Sequence, residues 1–250
     1  QKGILKLNKL RKLKCDRNEK IWDVNHLANT LEELDCEHDG GICQKGIFEL
    51  NKLRKLNCNR NGKIWDVNHL ANTLEELYCT RGSCIHQRGI SELKKLRILD
   101  CNKNEKIKDV NHLANTLEEL YCESCIHESN DGINQEGISK LKKLKILNCT
   151  YNSAVNDISH LCDTLEELDC EYDSGINQRG ISRLNKLKIL NCTGNKKIND
   201  VNHLAKTLEI LKCSYTCIDQ NEISELRKLK ELDARGIKKI ERIERSTENN

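Results

Sequence analysis

Cysteine and histidine are abundant enough in this chain to raise the question of a metal site. The sequence holds 15 cysteines and 8 histidines. A zinc site would show two close cysteine pairs or a Cys/His cluster at ligand spacing. Cys122-x-x-Cys125 is the only C-x-x-C pair, and the remaining cysteines outside the regular pattern share no spacing: Cys43, Cys84, Cys162 and Cys217. We therefore expect buried thiols that pack as small hydrophobes, and neither a metal nor another cofactor.

Five histidines recur once in every second repeat of the chain: His26, His69, His112, His160 and His203. At two strand spacings apart they would lie about 10 Å from one another, too far to share a metal ion. We interpret them as partly exposed residues of a turn.

Paired glutamates such as Glu75-Glu76 could act as a general acid and base, but the same pair recurs in almost every second repeat. Such regularity is typical of a scaffold. The sequence has no glycine-rich phosphate loop, no nucleophile elbow and no zinc-protease helix. We expect a protein that is not an enzyme.

The regular cysteines are the strongest signal in the chain. Thr73–Cys79 reads TLEELYC, and close copies end at every second repeat cysteine. From Cys15 to Cys213 the steps between these cysteines are 21, 22, 21, 22, 21, 27, 21, 22 and 21 residues, and Ala234 follows 21 residues later. Such a period indicates a stack of short supersecondary units, none of which can bury its own core.

The unit Leu10-x-x-Leu13-x-Cys15-x-x-Asn18-x-x-Ile21 recurs with small changes along the chain. It resembles the short, internalin-like repeats of the leucine-rich repeat family. The resemblance implies an α/β repeat solenoid, an arc with about eleven short parallel strands on the concave face and 3₁₀ or helical turns on the convex face. Each strand is expected to be Leu-x-Cys. The composition, with no proline and much Asn, Lys and Ile, also resembles arrays encoded by giant viruses of amoebae or by AT-rich protists.

The pattern predicts three segments. Residues 1–235 form the repeat array, with a longer loop near 124–137; residues 236–245 form a C-terminal cap helix, and 246–250 a polar tail. The longer step places extra residues in the loop, and the candidate binding residues there are His127, Glu128, Asn130 and Asp131. The alternative is a tolerated insertion in a solvent-exposed turn. Because Gln1–Ile4 matches Gln44–Ile47, we expect a fragment of a longer array.

Two structural devices follow from the alternation of repeat forms. An Asn lies three residues after every second repeat cysteine and can satisfy backbone groups in the turn that leaves the strand: Asn18, Asn61, Asn104, Asn152 and Asn195. The residue two before each strand leucine alternates in charge without exception: Arg11, Glu32, Arg54, Glu75, Arg97, Glu118, Lys145, Glu166, Lys188, Glu209 and Lys230. We expect opposite charges to pair across neighbouring strands and to fix their register.

The positions that flank each strand leucine and the repeat cysteine should face the concave side. They comprise thirteen acidic and five basic residues, a net charge of −8, whereas the whole chain is +3. Near the middle, tyrosine and isoleucine alternate with carboxylates, which suits the centre of a protein interface. The predicted partner-binding residues are Glu76, Tyr78, Ile98, Asp100, Glu119, Tyr121, Glu123 and Ile146.

These observations favour an interaction scaffold that binds a basic protein segment, and leucine-rich repeat arrays are, by the resemblance, mostly protein-binding. The alternative is a structural or assembly component, such as a viral particle protein, that associates with itself through repeat edges or the basic convex side. Nucleic-acid binding through convex lysines is the weakest candidate: Lys94, Lys95, Lys142 and Lys143. The unpaired cysteines and the lack of any membrane-spanning run predict a reducing cytoplasm, including a host cytoplasm or a virion.

Overall fold

The computed structural model describes residues 1–38, 40–125 and 132–237. Eleven three-residue strands form one parallel sheet in which sequence order and spatial order coincide. The strands are β1 Lys12–Lys14, β2 Glu33–Asp35, β3 Lys55–Asn57, β4 Glu76–Tyr78, β5 Ile98–Asp100, β6 Glu119–Tyr121, β7 Ile146–Asn148, β8 Glu167–Asp169, β9 Ile189–Asn191, β10 Ile210–Lys212 and β11 Glu231–Asp233. The predicted solenoid with eleven parallel strands is confirmed.

Short helical turns connect the strands, as predicted. The 3₁₀ turns are Asn25–Leu27, Gln44–Gly46, Asn68–Leu70, Gln87–Ile90, Asn111–Leu113, Ser159–Leu161 and Asn202–Leu204. Three single-turn α-helices complete the set: α1 Gln135–Ile138, α2 Gln178–Ile181 and α3 Gln220–Ile223. Turns this short present few unpaired backbone groups and let each repeat return to the sheet within its 21 or 22 residues.

The strand boundaries differ by one residue from the predicted Leu-x-Cys. Each strand is centred on its leucine and ends just before the repeat cysteine; β1, for example, ends at Lys14. The Cys15 amide still donates to the Asp35 carbonyl at 2.8 Å, so the backbone ladder continues past the strand. The cysteine lies two residues after the strand leucine, and because side chains alternate between the two faces its thiol also points into the core.

A continuous core of leucine, isoleucine, valine and cysteine side chains runs along the array from Cys15 to Leu226. All fifteen cysteines lie in the described residues, and no disulfide joins them. Burial raises the pKa of Cys58 to about 12, so the thiol stays protonated and packs as an apolar group.

The predicted role of the asparagines is confirmed at the buried positions. The Asn104 amide donates to the carbonyls of Cys79, at 2.9 Å, and Ile85, at 3.2 Å, while its oxygen accepts from the Lys106 amide at 3.0 Å. One side chain therefore satisfies three backbone groups of two successive repeats.

A column of glutamines near the helical turns also satisfies backbone groups of neighbouring repeats. The sequence reasoning missed this column. The oxygen of Gln44 accepts from the amides of Trp65 and Asp66 at 3.0 Å, and its nitrogen donates to the Asp66 carbonyl at 2.8 Å. Equivalent bonds are made by Gln87, Gln135 and Gln178. The signal was available in the recurring Gln-x-Gly-Ile of the sequence.

The histidines also bridge successive repeats. Nε2 of His69 lies 3.0 Å from the carbonyl oxygen of Ile47, so this nitrogen carries the proton and donates. Burial lowers the pKa of His69, and the same holds for His112 and His160. The interpretation as turn residues is confirmed, and a structural bond is added to it.

The alternating charges pair across strands as predicted. Six ion pairs lie between 2.6 and 2.9 Å: Arg11–Glu32, Arg54–Glu75, Arg97–Glu118, Lys145–Glu118, Lys188–Glu166 and Lys230–Glu209. Hydrogen bonds from Arg97 and Lys145 lower the pKa of Glu118 to about 2. Because these side chains are exposed, their main effect is on register and not on stability.

Candidate protein-binding face

Each strand presents two side chains to the concave surface, since alternate residues of a strand point to opposite faces. The residue before the central leucine forms the first row: Lys12, Glu33, Lys55, Glu76, Ile98, Glu119, Ile146, Glu167, Ile189, Ile210 and Glu231. The residue after it forms the second row: Lys14, Asp35, Asn57, Tyr78, Asp100, Tyr121, Asn148, Asp169, Asn191, Lys212 and Asp233.

The predicted binding residues divide between these rows. Tyr78, Asp100 and Tyr121 follow one another in the second row, whereas Ile98 lies in the first row between Glu76 and Glu119. Tyrosine and isoleucine therefore alternate diagonally and do not form one apolar stripe. The side chains were expected to be exposed but are half-buried, because the rows shield each other at a strand spacing of about 4.8 Å.

The two tyrosines are held by carboxylates of their own strands. The Tyr78 hydroxyl donates to Glu76 Oε2 at 3.1 Å, and the Tyr121 hydroxyl donates to Glu119 Oε2 at 3.0 Å. Burial and the neighbouring Glu119 charge raise the pKa of Tyr121. Both phenols thus stay neutral and fixed in orientation.

In the amino-terminal half of the first row, every glutamate has a lysine partner. Lys12 Nζ lies 2.7 Å from Glu33 Oε1, and Lys55 Nζ lies 2.7 Å from Glu76 Oε2. Lys55 also lies over the Tyr78 ring, 4.9 Å from its centroid. The first-row glutamates of this part of the face are therefore neutralised by lysines.

Isoleucine replaces lysine further along the first row, and the glutamates there lose this partner. Glu119 lies in register between Ile98 and Ile146, and Glu167 between Ile146 and Ile189. Within the described residues no Lys or Arg forms an ion pair with either carboxylate. Burial, followed by the Asp169 and Glu119 charges, raises the pKa of Glu167.

Two further carboxylates adjoin Glu167. Burial raises the pKa of Asp169, which accepts from the Thr150 hydroxyl at 2.7 Å. Burial also raises the pKa of Glu171, and Asn191 donates to it. Lys212 acts in the opposite direction on Glu167 and Glu171 but only through its charge at longer range. We call Glu119, Glu167, Asp169 and Glu171 the central acidic patch.

A groove of about 340 Å³ lies on this face near its amino-terminal end. It is bordered by the backbone and side chains of β1 and β2 and by Lys55, Asn57 and Tyr78. Of the predicted binding residues only Tyr78 reaches it. Glu76, Ile98 and Asp100 lie between this groove and the central acidic patch. Glu119 belongs to the patch, Tyr121 and Glu123 lie in the same repeat as Glu119, and Ile146 lies between Glu119 and Glu167.

Some predictions concern residues that the structure does not describe. The candidate loop residues His127, Glu128, Asn130 and Asp131 lie outside the described ranges, as does most of the predicted cap helix, of which only Gly236 and Ile237 are described. In the described residues, no three His, Cys, Asp or Glu side chains are grouped as metal ligands. None of the helices in that part of the chain is long and apolar enough to cross a bilayer.

Comparisons with solved structures show the same fold. An internalin, InlF from Listeria monocytogenes, aligns with a TM-score of 0.56 at 22% identity, over 96% of this chain and 78% of that one. The functional domain of InlJ from the same organism, described as including a cysteine ladder, aligns with a TM-score of 0.60 at 21% identity, over 96% and 61%. Rad7 in the yeast Rad7–Elc1 structure aligns with a TM-score of 0.60 at 17% identity, over 85% and 65%.

No family model matches the chain, and no curated protein matches it either. The chain spans about 61% of the length of the InlJ domain. At these identities the comparisons define a leucine-rich repeat solenoid and leave its binding properties to be argued from its own residues.

Proposed function

We propose that this protein is a non-enzymatic interaction scaffold that binds a basic protein segment on its concave face. The observation that carries the proposal is the central acidic patch, whose first-row carboxylates lack the lysine partners that Glu33 and Glu76 have. In the amino-terminal repeats the glutamates at this position are paired with lysines. The fold therefore does not require unpaired glutamates at this position.

The pKa directions support a cationic partner. Burial raises the pKa of Glu167, Asp169 and Glu171, so their ionised forms are unfavourable in the free protein. A Lys or Arg side chain brought against them would favour the ionised form and lower these pKa values. Binding of a basic segment should therefore release protons and strengthen as the pH rises from about 4 to 6.

The half-buried Tyr121 and Ile146 adjoin the patch and would contact the apolar part of such a segment. A rigid tyrosine beside carboxylates suits the aliphatic stem of a lysine or arginine, whose charged end then reaches the acids. Rad7, which shares the fold, was solved with a protein partner, Elc1. This likeness is consistent with a role in protein binding.

Neutralising two patch carboxylates tests the proposal. We expect Glu119→Gln/Glu167→Gln to weaken binding of a labelled Lys/Arg-rich peptide by about 5- to 30-fold, since each partly screened charge pair contributes about 0.5–1 kcal/mol. Fluorescence anisotropy at low salt measures the affinity. The matched control, Glu92→Gln/Glu136→Gln, removes equal charge from exposed residues beside the helical turns. Equal losses in both variants would reject the concave site.

A second candidate is self-assembly, favoured by exposed aromatic residues near the helical turns. Trp22 is 53%, Phe48 66% and Trp65 48% exposed, and Phe48 stacks on His69 at 5.9 Å. Large exposed rings of this kind often mark an interface. Light scattering tests this candidate: Trp22→Gln/Trp65→Gln should abolish concentration-dependent association, and a wild-type chain that stays monomeric at high concentration would exclude it.

We also propose a reducing, cytoplasmic environment, because no disulfide joins the fifteen cysteines. Alkylation of freshly isolated protein without reductant should label fifteen cysteines after unfolding, and any disulfide found by mass spectrometry would contradict the proposal. An origin in an AT-rich genome, such as that of a giant virus of amoebae, stays a prediction from composition.

A further inference from the structure

One edge of the sheet carries a column of side chains that neither the core nor the concave face uses. It consists of the residue two after each repeat cysteine, which we call the rim slot. In order along the chain these residues are Arg17, His38, Arg60, Arg81, Lys103, Ser124, Tyr151, Tyr172, Gly194, Tyr215 and, after Ala234, Gly236. The first five are basic, and the later ones are mainly tyrosine and glycine.

The backbone of the rim slot is left-handed at most positions. The φ angle is 55° at Arg17, 55° at Arg60 and 59° at Lys103, and it is 73° at Gly194. Glycine adopts this region freely, and asparagine or aspartate tolerate it, whereas residues with longer side chains rarely occur there. Glycine occupies only two of the slots. At seven other slots, including Arg17 and Arg60, a longer side chain is retained against the preference of the backbone, which indicates that it has a role. Arg81 is not left-handed, because Gly82 after it takes that conformation with a φ angle of 79°.

Packing explains the aromatic half of the column. The Tyr151 and Tyr172 rings stack with centroids 4.9 Å apart and planes 4° apart. A β-carbon at Gly194 would lie 2.6 Å from the Tyr172 ring, and one at Gly236 would lie 2.5 Å from the Tyr215 ring. The glycines make room for the rings, and the rings cover the glycines. This half stabilises the rim.

No such packing explains the basic half. The side chains of Arg17, Arg60 and Arg81 are exposed, and within the described residues none of them forms an ion pair. By contrast, Lys103 pairs with Glu123 at 3.0 Å. The residues that precede Arg60 and Arg81 are Asn59 and Thr80, which carry no charge.

Two exposed lysines add positive charge near these arginines. Lys63 Nζ donates to the Gly40 carbonyl at 3.1 Å, and Lys106 Nζ donates to the Ser83 carbonyl at 3.1 Å. These carbonyls lie two residues after the rim residues His38 and Arg81, and within the described residues neither ammonium group forms an ion pair.

We propose that Arg17, Arg60 and Arg81 bind an acidic peptide segment that lies along the rim. Arg17 and Arg60 are two repeats apart, about 10 Å, and Arg81 follows after one further repeat at about 5 Å. Each guanidinium can hold one carboxylate through two parallel hydrogen bonds. An extended chain with several aspartates or glutamates matches this spacing.

Charge selects a protein segment over a nucleic acid. The rim borders the concave face, whose net charge is −8, and a continuous phosphate backbone would be repelled along its whole length. A peptide can place its carboxylates at the rim alone. One protein with a basic stretch on the patch and an acidic stretch on the rim would satisfy both surfaces, and this joint form of the inference rests on the proposed function.

Separate peptides keep the two hypotheses distinguishable. Anisotropy is measured with a labelled Glu-rich peptide, a Lys/Arg-rich peptide and an oligothymidylate. We expect Arg17→Asn/Arg60→Asn/Arg81→Asn to weaken Glu-rich peptide binding at least tenfold, because asparagine removes the charge and tolerates the left-handed backbone of Arg17 and Arg60. Glu119→Gln/Glu167→Gln should leave that binding within twofold.

The matched control is Lys52→Asn/Lys94→Asn/Lys140→Asn, which removes equal charge from exposed residues away from the rim. It should change Glu-rich peptide binding less than twofold. Equal weakening by the control would overturn the rim assignment. Oligothymidylate that binds more tightly than the Glu-rich peptide, with the same dependence on the three arginines, would overturn the choice of a protein ligand.

Discussion

Placing a lysine at Ile146 tests whether the central acidic patch is reserved for a partner. The Cα of Ile146 is in register with Glu119 on one side and Glu167 on the other. Lysines in the equivalent first-row slots, Lys12 and Lys55, reach their glutamates at 2.7 Å. Ile146→Lys should reproduce that pairing and neutralise the patch from within.

The variant should bind the basic peptide more weakly while its stability changes little. Lys12 and Lys55 each pair with one glutamate, so the new lysine should form one cross-strand pair. That pair contributes about 0.2–1 kcal/mol, and the loss of a half-buried isoleucine costs about 0.5–1 kcal/mol. The free energy of unfolding should therefore change by less than about 1 kcal/mol, which shifts the Tm by no more than about 4 °C. The affinity for a Lys/Arg-rich peptide should fall about tenfold, because the added ammonium group occupies a first-row carboxylate of the patch and repels the cations of the peptide.

Urea unfolding followed by circular dichroism gives the stability, and fluorescence anisotropy gives the affinity. Ser139→Lys is the matched control, since it adds the same charge in the same repeat but on the exposed side of a helical turn. In 1 M salt, where the screening length is about 3 Å, the contribution of the new ion pair to stability should vanish. A folded variant that binds the basic peptide as well as the wild type would refute the reasoning, as would an equal loss of binding in the control.

Three further predictions concern the scaffold. Asn104→Ala should lower the free energy of unfolding by about 3–5 kcal/mol in urea titration, because two carbonyls and one amide lose a buried partner; a loss below 1 kcal/mol would contradict the bonds described. Burial lowers the pKa of His69, so the unfolded chain takes up the proton first and stability should fall as the pH drops below about 6.5; His69→Gln should flatten that slope. Gly194→Ala should destabilise the rim by at least about 1 kcal/mol, and Tyr172→Ala in the same chain should recover part of the loss seen in thermal melts.

The fold was predictable because every repeat carries the same pattern of residues. Patterns that recur in every repeat gave the period, the strand leucines, the buried cysteines and the alternating ion pairs. A pattern that recurs in every second repeat gave the asparagine bonds. The glutamine column was equally visible in the sequence but was missed. The hydrophobic period locates the turn that contains Gln44 by its isoleucine and indicates no role for the glutamine. Its three bonds depend on where the next repeat's backbone passes, which no spacing rule gives.

The candidate site was less predictable, for a physical reason. The exposed tyrosine and isoleucine patch was inferred from residue types on consecutive strands, but exposure depends on how neighbouring rows shield each other, and Tyr121 is half-buried. Whether a glutamate is paired depends on the strand next to it. Glu33 and Glu167 occupy the same position of the same motif, but the residues in register with them on the neighbouring strands differ. Glu33 has a lysine at 2.7 Å, whereas Glu167 is flanked by isoleucines.

That contrast locates function in the differences between repeats. A slot that the fold constrains, such as the core leucine or the buried asparagine, holds one residue type along the array. The first row and the rim slot each change character partway along the chain, from lysine to isoleucine in one and from basic residues to tyrosine and glycine in the other. In the rim slot the change to tyrosine and glycine is explained by stacking, so the arginines before it require another cause. In the first row the change leaves Glu119 and Glu167 flanked by isoleucines, and burial raises the pKa of Glu167. The fold requires neither the unpaired first-row glutamates nor the exposed rim arginines. We therefore propose that both surfaces contact a partner.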